Sequence, residues 1–271
     1  MCIRDRGSIN QGFISDIPFN RGINALKQYA QIISEYKVDT VKAMATSAIR
    51  SASNGTDFVR TAKQETGIVI EVIDGNREAE LIYYGNREAV KMNHQNSLIM
   101  DIGGGSTEFI IGNSTTIVWK QSYLLGAARL MELIQPSDPI NATEIKNLYK
   151  YLDKELITLK EAIKKYPVAE LVGSSGAFDS IVEMMAGAYN TPGITESQTE
   201  YPIRLEQYLP FSETVIKAPY SERLKIKGLI EMRVDMITIS CLFVNYILKE
   251  FDLNQLRVST YSLKEGVIFS A

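Results

Sequence analysis

The sequence predicts an α/β protein of two domains, and three observations carry that prediction. Short β-branched runs, such as Ile68-Val69-Ile70-Glu71-Val72-Ile73, alternate with stretches whose apolar residues recur at helical spacing. An apolar run, Leu98-Ile99-Met100, ends in Asp101-Ile102-Gly103-Gly104-Gly105-Ser106-Thr107-Glu108, and a second apolar run, Phe109-Ile110-Ile111, leaves it, which reads as strand, tight turn, strand. The 271 residues, 45% hydrophobic and 23% charged, are enough to bury two cores of medium size.

In order along the chain, residues 17–36 place Ile23, Leu26, Tyr29, Ala30 and Ile33 on one helical face, with Asp16 and Pro18 at its start. Residues 40–46 read as a strand and 47–54 as the turn into a helix. After the strand 68–73, Asp74 or Asn76 can cap a helix that runs to about Lys91. The polar stretch 91–97, which contains the single His94, reads as a hinge. The Gly-rich hairpin comes next, then a third strand at 117–123 that makes a meander, and a helix that stops before Pro136. A helical pair spans about 141–165. Ala169 to Ile181 reads as strand, turn and helix around Gly173-Ser174-Ser175-Gly176. Residues 206–222 read as surface, Arg223, Lys225 and Lys227 as a basic stripe that either faces solvent or guides a polyanion, 231–251 as an apolar helix with a structural Arg233–Asp235 pair, and 256–259 as a last strand before a short C-terminal helix.

Composition excludes several functions. A net charge of −3 argues against broad nucleic-acid binding, so a polyanionic ligand needs a local cluster of donors. Two cysteines, Cys2 and Cys241, form no metal-ligand spacing and suit a reducing cytoplasm. One histidine permits neither a Ser-His-Asp triad nor a His-rich metal site. No apolar run approaches the roughly 18 residues of a membrane span, so a membrane partner is not expected.

The chemistry concentrates in three places. In the hairpin, Gly103, Gly104 and Gly105 are expected to take positive φ and to leave their amides uncovered, so that with Ser106 and Thr107 they form an anion nest. Asp101 and Glu108 are hard oxygen ligands able to hold Mg²⁺ against a bound phosphate. The residues alone leave a plain glycine hairpin open. Arg50 comes after a strand end, where open α/β sheets place ligand groups, and its guanidinium can clamp phosphate; an exposed helix arginine is the alternative. Glu78 sits in the first turn of a helix, where the dipole favours the carboxylate that a general base needs, or where an acid merely stabilises the helix. Gly75-Asn76-Arg77-Glu78-Ala79 recurs as Gly85-Asn86-Arg87-Glu88-Ala89, but ten residues at 1.5 Å each put Glu88 about 15 Å away, too far to serve the same water. Gly173 and Ser174 open a second turn that brings a ligand to a helix N-terminus, or that only joins strand to helix.

Thr46 to Arg50, Gly75-x-x-Glu78-Ala79 and Asp101 to Glu108, in that order, resemble motifs of the exopolyphosphatase and guanosine pentaphosphate phosphohydrolase (Ppx/GppA) family, over about residues 7–271. The resemblance implies two ribonuclease-H-like domains of the actin, sugar kinase and heat-shock ATPase superfamily, residues 1–94 and 95–271, with the active site in the interdomain cleft. It implies Mg²⁺ at Asp101 and Glu108, Glu78 as the base that activates water, and substrate contacts from Arg50, Gly103, Gly104, Gly105, Ser106, Thr107, Gly173 and Ser174. The implied substrates are polyphosphate or guanosine pentaphosphate, in a bacterial cytoplasmic hydrolase for which a homodimer is left open. A kinase or ATPase of the same superfamily, or a phosphate-binding regulator without turnover, is the alternative. The family's first phosphate loop, of Asp-x-Gly-Ser/Thr-Asn type, has no match in residues 1–16, and residues 1–6 do not flow into the segment that begins at Gly7. The sequence therefore reads as lacking its first strands, and a chain holding only the second loop is expected to be inactive.

Overall fold

A computed structural model describes residues 12–270. The expectations placed on residues 1–11, an unrelated leader and a missing first loop, lie outside the described residues. The chain divides into two compact units, Met1–Glu78 and Ala79–Ala271. The division falls inside a helix and not in the polar stretch 91–97. Beyond Glu78 that helix keeps going because Ala79, Ile82, Tyr83 and Ala89 join a core with Ile99, Ile110 and Val172 of the second unit.

In the first unit, helix α1 (Asp16–Glu35) is followed by β1 (Ala43–Ala45), the one-turn α2 (Ser47–Arg50), α3 (Gly55–Thr66) and β2 (Ile70–Val72). Strands β1 and β2 pair in parallel, Ala43 opposite Ile70 and Ala45 opposite Val72. Ile23 and Leu26 of α1 and Phe58 and Ala62 of α3 cover them in one small core. The predicted strands at 40–46 and 68–73 are thus present but shorter. Helix α4 (Gly75–Ala89) starts at Asp74, whose carboxylate accepts from the Arg77 amide at 2.8 Å; of the two predicted caps, Asp74 serves.

The second unit is built on a six-stranded sheet in the order β5-β4-β3-β6-β8-β7. Strands β3 (Ser97–Ile102), β4 (Thr107–Gly112) and β5 (Ile117–Tyr123) form the predicted antiparallel meander, and β6 (Leu171–Ser174) and β8 (Leu256–Ser259) run parallel to β3. Every residue of β3 and β4 is buried, which is why both read as unbroken apolar runs and not as alternating ones. Strand β7 (Glu200–Ile203), antiparallel at the edge, gives no such signal because its four residues include Pro202.

Two expectations for the surface are corrected. Residues 205–217 form a helix that buries Tyr208, Ser212, Val215 and Ile216, a spacing of four, three and one that Pro210 obscures in the sequence. Arg223 is buried: it donates to the Ala218 and Val234 carbonyls and pairs with Asp138 at 2.9 Å, so it leaves the basic stripe, of which Lys225 and Lys227 stay exposed.

The repeat of Gly-Asn-Arg-Glu-Ala also acquires a physical account. Gly85 lies against the backbone of Ser262, and Gly266 of the C-terminal helix (Leu263–Phe269) lies against the Leu81 carbonyl of α4; a Cβ on Gly266 would sit 1.7 Å from that oxygen. The second copy is a helix crossing, made close by two glycines, while Arg87 stacks over the Tyr83 and Tyr84 rings and Glu88 remains exposed. Gly266→Ala should therefore lower the unfolding free energy by about 1–3 kcal/mol, the usual cost of overpacking. Gly104→Ala, whose Cβ would have nothing nearer than Ala128 Cβ at 4.0 Å, should leave it within about 0.5 kcal/mol; urea denaturation of the two variants checks both.

Candidate active site

The second unit carries the Gly-rich loop between β3 and β4. None of Gly103, Gly104 and Gly105 has a positive φ, which corrects the expectation of a left-handed turn. What the glycines allow is close approach. A Cβ on Gly103 would lie 2.9 Å from the Ser106 carbonyl, and a Cβ on Gly126 would lie 2.4 Å from Gly104. Gly126 precedes helix α5 (Ala127–Ile134), and the first amides of α5 donate into the loop: Ala127 to the Gly103 carbonyl at 2.9 Å, Ala128 and Arg129 to the Gly104 carbonyl at 3.0 and 3.1 Å. These are the orphan donors that every helix start must place somewhere. Arg129 Nε donates to the Gly105 carbonyl at 3.0 Å. The loop's acceptors are thus taken.

Its donors are not. The amides of Gly104, Gly105 and Ser106 make no hydrogen bond among the described residues, nor does the Ser106 hydroxyl, and Gly104 is exposed. Three consecutive amides left open beside a surface are the arrangement that can receive an anion. Thr107 differs from its predicted role: it is fully buried and its hydroxyl donates to the Leu125 carbonyl at 3.0 Å.

Asp101 and Glu108 stand directly opposite each other in the β3–β4 ladder, so both side chains project to one face of the sheet. Both are buried. Ser122 Oγ donates to Glu108 Oε1 at 2.6 Å. Ser174, at the end of β6, donates to Asp101 Oδ2 at 2.7 Å, and Ser262, just beyond β8, donates to the same oxygen. The C-terminal ends of three parallel strands thereby converge on one carboxylate, as open α/β sheets arrange their sites. Burial pushes the Asp101 carboxyl up, against the hydroxyls of Ser262, Ser174 and Ser175, which favour its charge. No Lys or Arg pairs with it among the described residues. A buried carboxylate without a cationic partner, opposite a second carboxylate, suits a hard divalent cation that keeps most of its waters. No group of three His, Cys, Asp or Glu forms a fuller metal cage among the described residues.

Gly173 and Ser174, predicted to meet substrate, have other work. Both are fully buried; a Cβ on Gly173 would enter the Phe178 ring at 2.1 Å, and the Ser174 hydroxyl is spent on Asp101. The next residue, Ser175, has φ 73 and ψ 176, a conformation otherwise reserved for glycine, and so stores backbone strain at the turn. Arg233 seals the start of the helix after it by donating to the Gly176 carbonyl and to Ser180 Oγ, in keeping with its predicted structural role.

The first unit brings Arg50 and Glu78 together. Arg50 closes α2 after β1, and Glu78 lies one turn into α4 after β2, so each comes after the C-terminal end of a parallel strand. Arg50 Nη1 donates to the Ile73 carbonyl at 2.7 Å and to Glu78 Oε2 at 3.0 Å. The Glu78 side chain is 8% exposed and that of Arg50 24%, which separates this pair from the exposed Arg87–Glu88 contact of the second copy.

Ser262 and Asp179 escaped the sequence reading. Ser262 is visible in the sequence only as the helix-capping partner of Glu265, whose carboxylate accepts from its amide at 3.0 Å. Asp179, in the first turn after Gly176, has its carboxyl pushed up to about 6 by burial, opposed by Arg233 and reinforced by the charge of Asp101.

The second unit of this α/β protein presents a glycine loop with three open amides beside paired acids. The model of the Ppx/GppA phosphatase family matches residues 4–271, and the chain belongs to that family. The crystal structure of an exopolyphosphatase from Cytophaga hutchinsonii shares 40% identity and a TM-score of 0.95, over 98% of this chain and 85% of that one. The Aquifex aeolicus PPX-GPPA enzyme shares 29% identity with a TM-score of 0.82, over 98% and 88%. A Haemophilus influenzae protein provisionally named exopolyphosphatase is 26% identical over 250 residues, 92% of this chain and 75% of its own length. Among the described residues no helix is long and apolar enough to cross a membrane.

Asp179 yields a pH test. Its folded-state carboxyl lies above the unfolded value, so its charge opposes folding above pH about 6, and that cost fades as pH falls through 6 toward the ordinary carboxyl range. Asp179→Asn should melt at a higher temperature than the parent at pH 8, with the gap narrowing by pH 5. A gap that is constant across that range would contradict the assignment.

Proposed function

We propose that the chain hydrolyses the terminal phosphate of inorganic polyphosphate, with Glu78 as the base that activates water. The observation that carries the reading is the loop whose carbonyls are all engaged while the amides of Gly104, Gly105 and Ser106 have no partner among the described residues. Such a loop accepts the non-bridging oxygens of a phosphate. The choice of polyphosphate rests on the relatives, which are exopolyphosphatases by name.

In the proposed step water attacks the terminal phosphorus. The new P–O bond forms as the bridging P–O bond of the anhydride breaks, the water's proton passes to Glu78, and the products are orthophosphate and a chain one phosphate shorter. Arg50, on the same unit as Glu78, holds non-bridging oxygens as charge spreads over them. A Mg²⁺ held by Asp101 and Glu108 would supply further positive charge to the phosphoryl group. The serines that donate to Asp101 favour its charged form against the effect of burial and fix its direction. Guanosine pentaphosphate presents the same terminal anhydride, and the same assay run with both substrates ranks them.

Glu78→Gln should lower kcat by roughly 10²–10⁴, the range for loss of a general base, with KM nearly unchanged. Glu88→Gln, on the exposed copy of the motif, should change neither constant by more than about twofold. Phosphate release from polyphosphate by the two variants and the parent decides the assignment: equal losses would remove Glu78 from the role, and ATP cleavage in preference to polyphosphate would favour the kinase or ATPase reading.

A further inference from the structure

Arg50 divides its guanidinium in a way that binding phosphate alone does not require. Nη1 is committed twice, to the Ile73 carbonyl at 2.7 Å and to Glu78 Oε2 at 3.0 Å. Nε and Nη2, the side edge of the planar fork, make no hydrogen bond among the described residues. That edge is the one suited to bidentate recognition of phosphate. The Ile73 carbonyl lies just past β2 and is fixed by the ladder, since the Ile73 amide donates to Ala45 at 3.1 Å. The guanidinium is therefore referenced to the strand on one side and to the carboxylate on the other.

We propose that Arg50 is a positioning residue for Glu78 as well as a phosphate ligand: one rigid guanidinium holds the base through Nη1 and the terminal phosphate through Nε and Nη2, and so sets the distance and direction between them. This rests on the assignment of Glu78 as the base. The physical reason is planarity. Because the fork cannot flex between its edges, a phosphate seated on one edge is registered against the carboxylate on the other, and water between them meets base and phosphorus in a fixed geometry. A lysine, a single point of charge on a flexible stem, can neutralise but cannot register two partners at once.

The test separates binding from registration. Phosphate release from polyphosphate is measured as kcat and KM for the parent, Arg50→Ala, Arg50→Lys, Glu78→Gln and the Arg50→Ala/Glu78→Gln double variant, with and without millimolar guanidinium. Circular dichroism checks folding, and Arg50→Gln, which retains an amide donor for Ile73, stands in if the alanine variant melts. The expected result is a fall in kcat of roughly tenfold or more in Arg50→Ala and Arg50→Lys. Added guanidinium should restore part of the alanine variant's kcat, and Arg50→Ala should lower kcat by a clearly smaller factor once Glu78 is already Gln, because the positioning part of its effect has gone and only the phosphate contact remains to be lost. A change in KM alone, or an equal kcat loss in both backgrounds, would overturn it while leaving Glu78 as the base. No turnover by the parent even when an upstream hairpin carrying an Asp-x-Gly-Ser/Thr-Asn loop is fused in place of residues 1–6 would overturn the functional reading, and this inference with it.

Discussion

Folding obliges each polar backbone group that leaves water to find a partner, and the start of α5 meets that obligation by donating its first amides to the Gly103 and Gly104 carbonyls. Much of the site depends on that reciprocal contact. The helix gains acceptors without a side-chain cap, since Gly126 offers none. The loop is drawn onto the helix so tightly that no Cβ fits at Gly126. With its carbonyls turned to the helix, the amides from Gly104 to Ser106 are left without partners among the described residues. The loop is shaped by what it has already bonded, and the open amides are the remainder.

Parallel pairing does similar work for the acids. Strands β3, β6 and β8 run the same way, so their C-terminal ends deliver Asp101, Ser174 and the segment leading to Ser262 to one place. The antiparallel return of β4 sets Glu108 opposite Asp101. In the first unit β1 and β2 do the same with Arg50 and Glu78. The two sheets differ in size, yet in both, side chains at or beyond the C-terminal ends of parallel strands converge, Asp101 and Ser174 in one and Arg50 and Glu78 in the other.

Much of this was legible in the sequence because the relevant signals are local. Buried β3 and β4 announce themselves as apolar runs, and Glu78, Asp101 and the glycines lie at turns with recognisable chemistry. What the sequence concealed depends on contacts distant along the chain. The second Gly-Asn-Arg-Glu-Ala copy was set aside by its spacing along the helix, but its reason, Gly85 and Gly266 packed closely at a helix crossing, was not visible. Gly173 looked like a ligand turn but makes room for Phe178, and the Thr107 hydroxyl is claimed by Leu125. Ser262 meets Asp101 across 161 positions, a separation no motif records. Pro210 masked a helix whose buried face is otherwise regular, because a proline in the second turn breaks the pattern more than the fold.

Everything proposed for the second unit turns on whether the open amides of the loop between β3 and β4 hold the phosphate. A titration of ¹⁵N-labelled protein with tripolyphosphate, followed through the backbone amide resonances, observes those groups themselves. Gly104, Gly105 and Ser106 should show the largest shifts, in the direction of stronger hydrogen bonding, and should saturate together. Binding that leaves those three amides unmoved while others shift would contradict it.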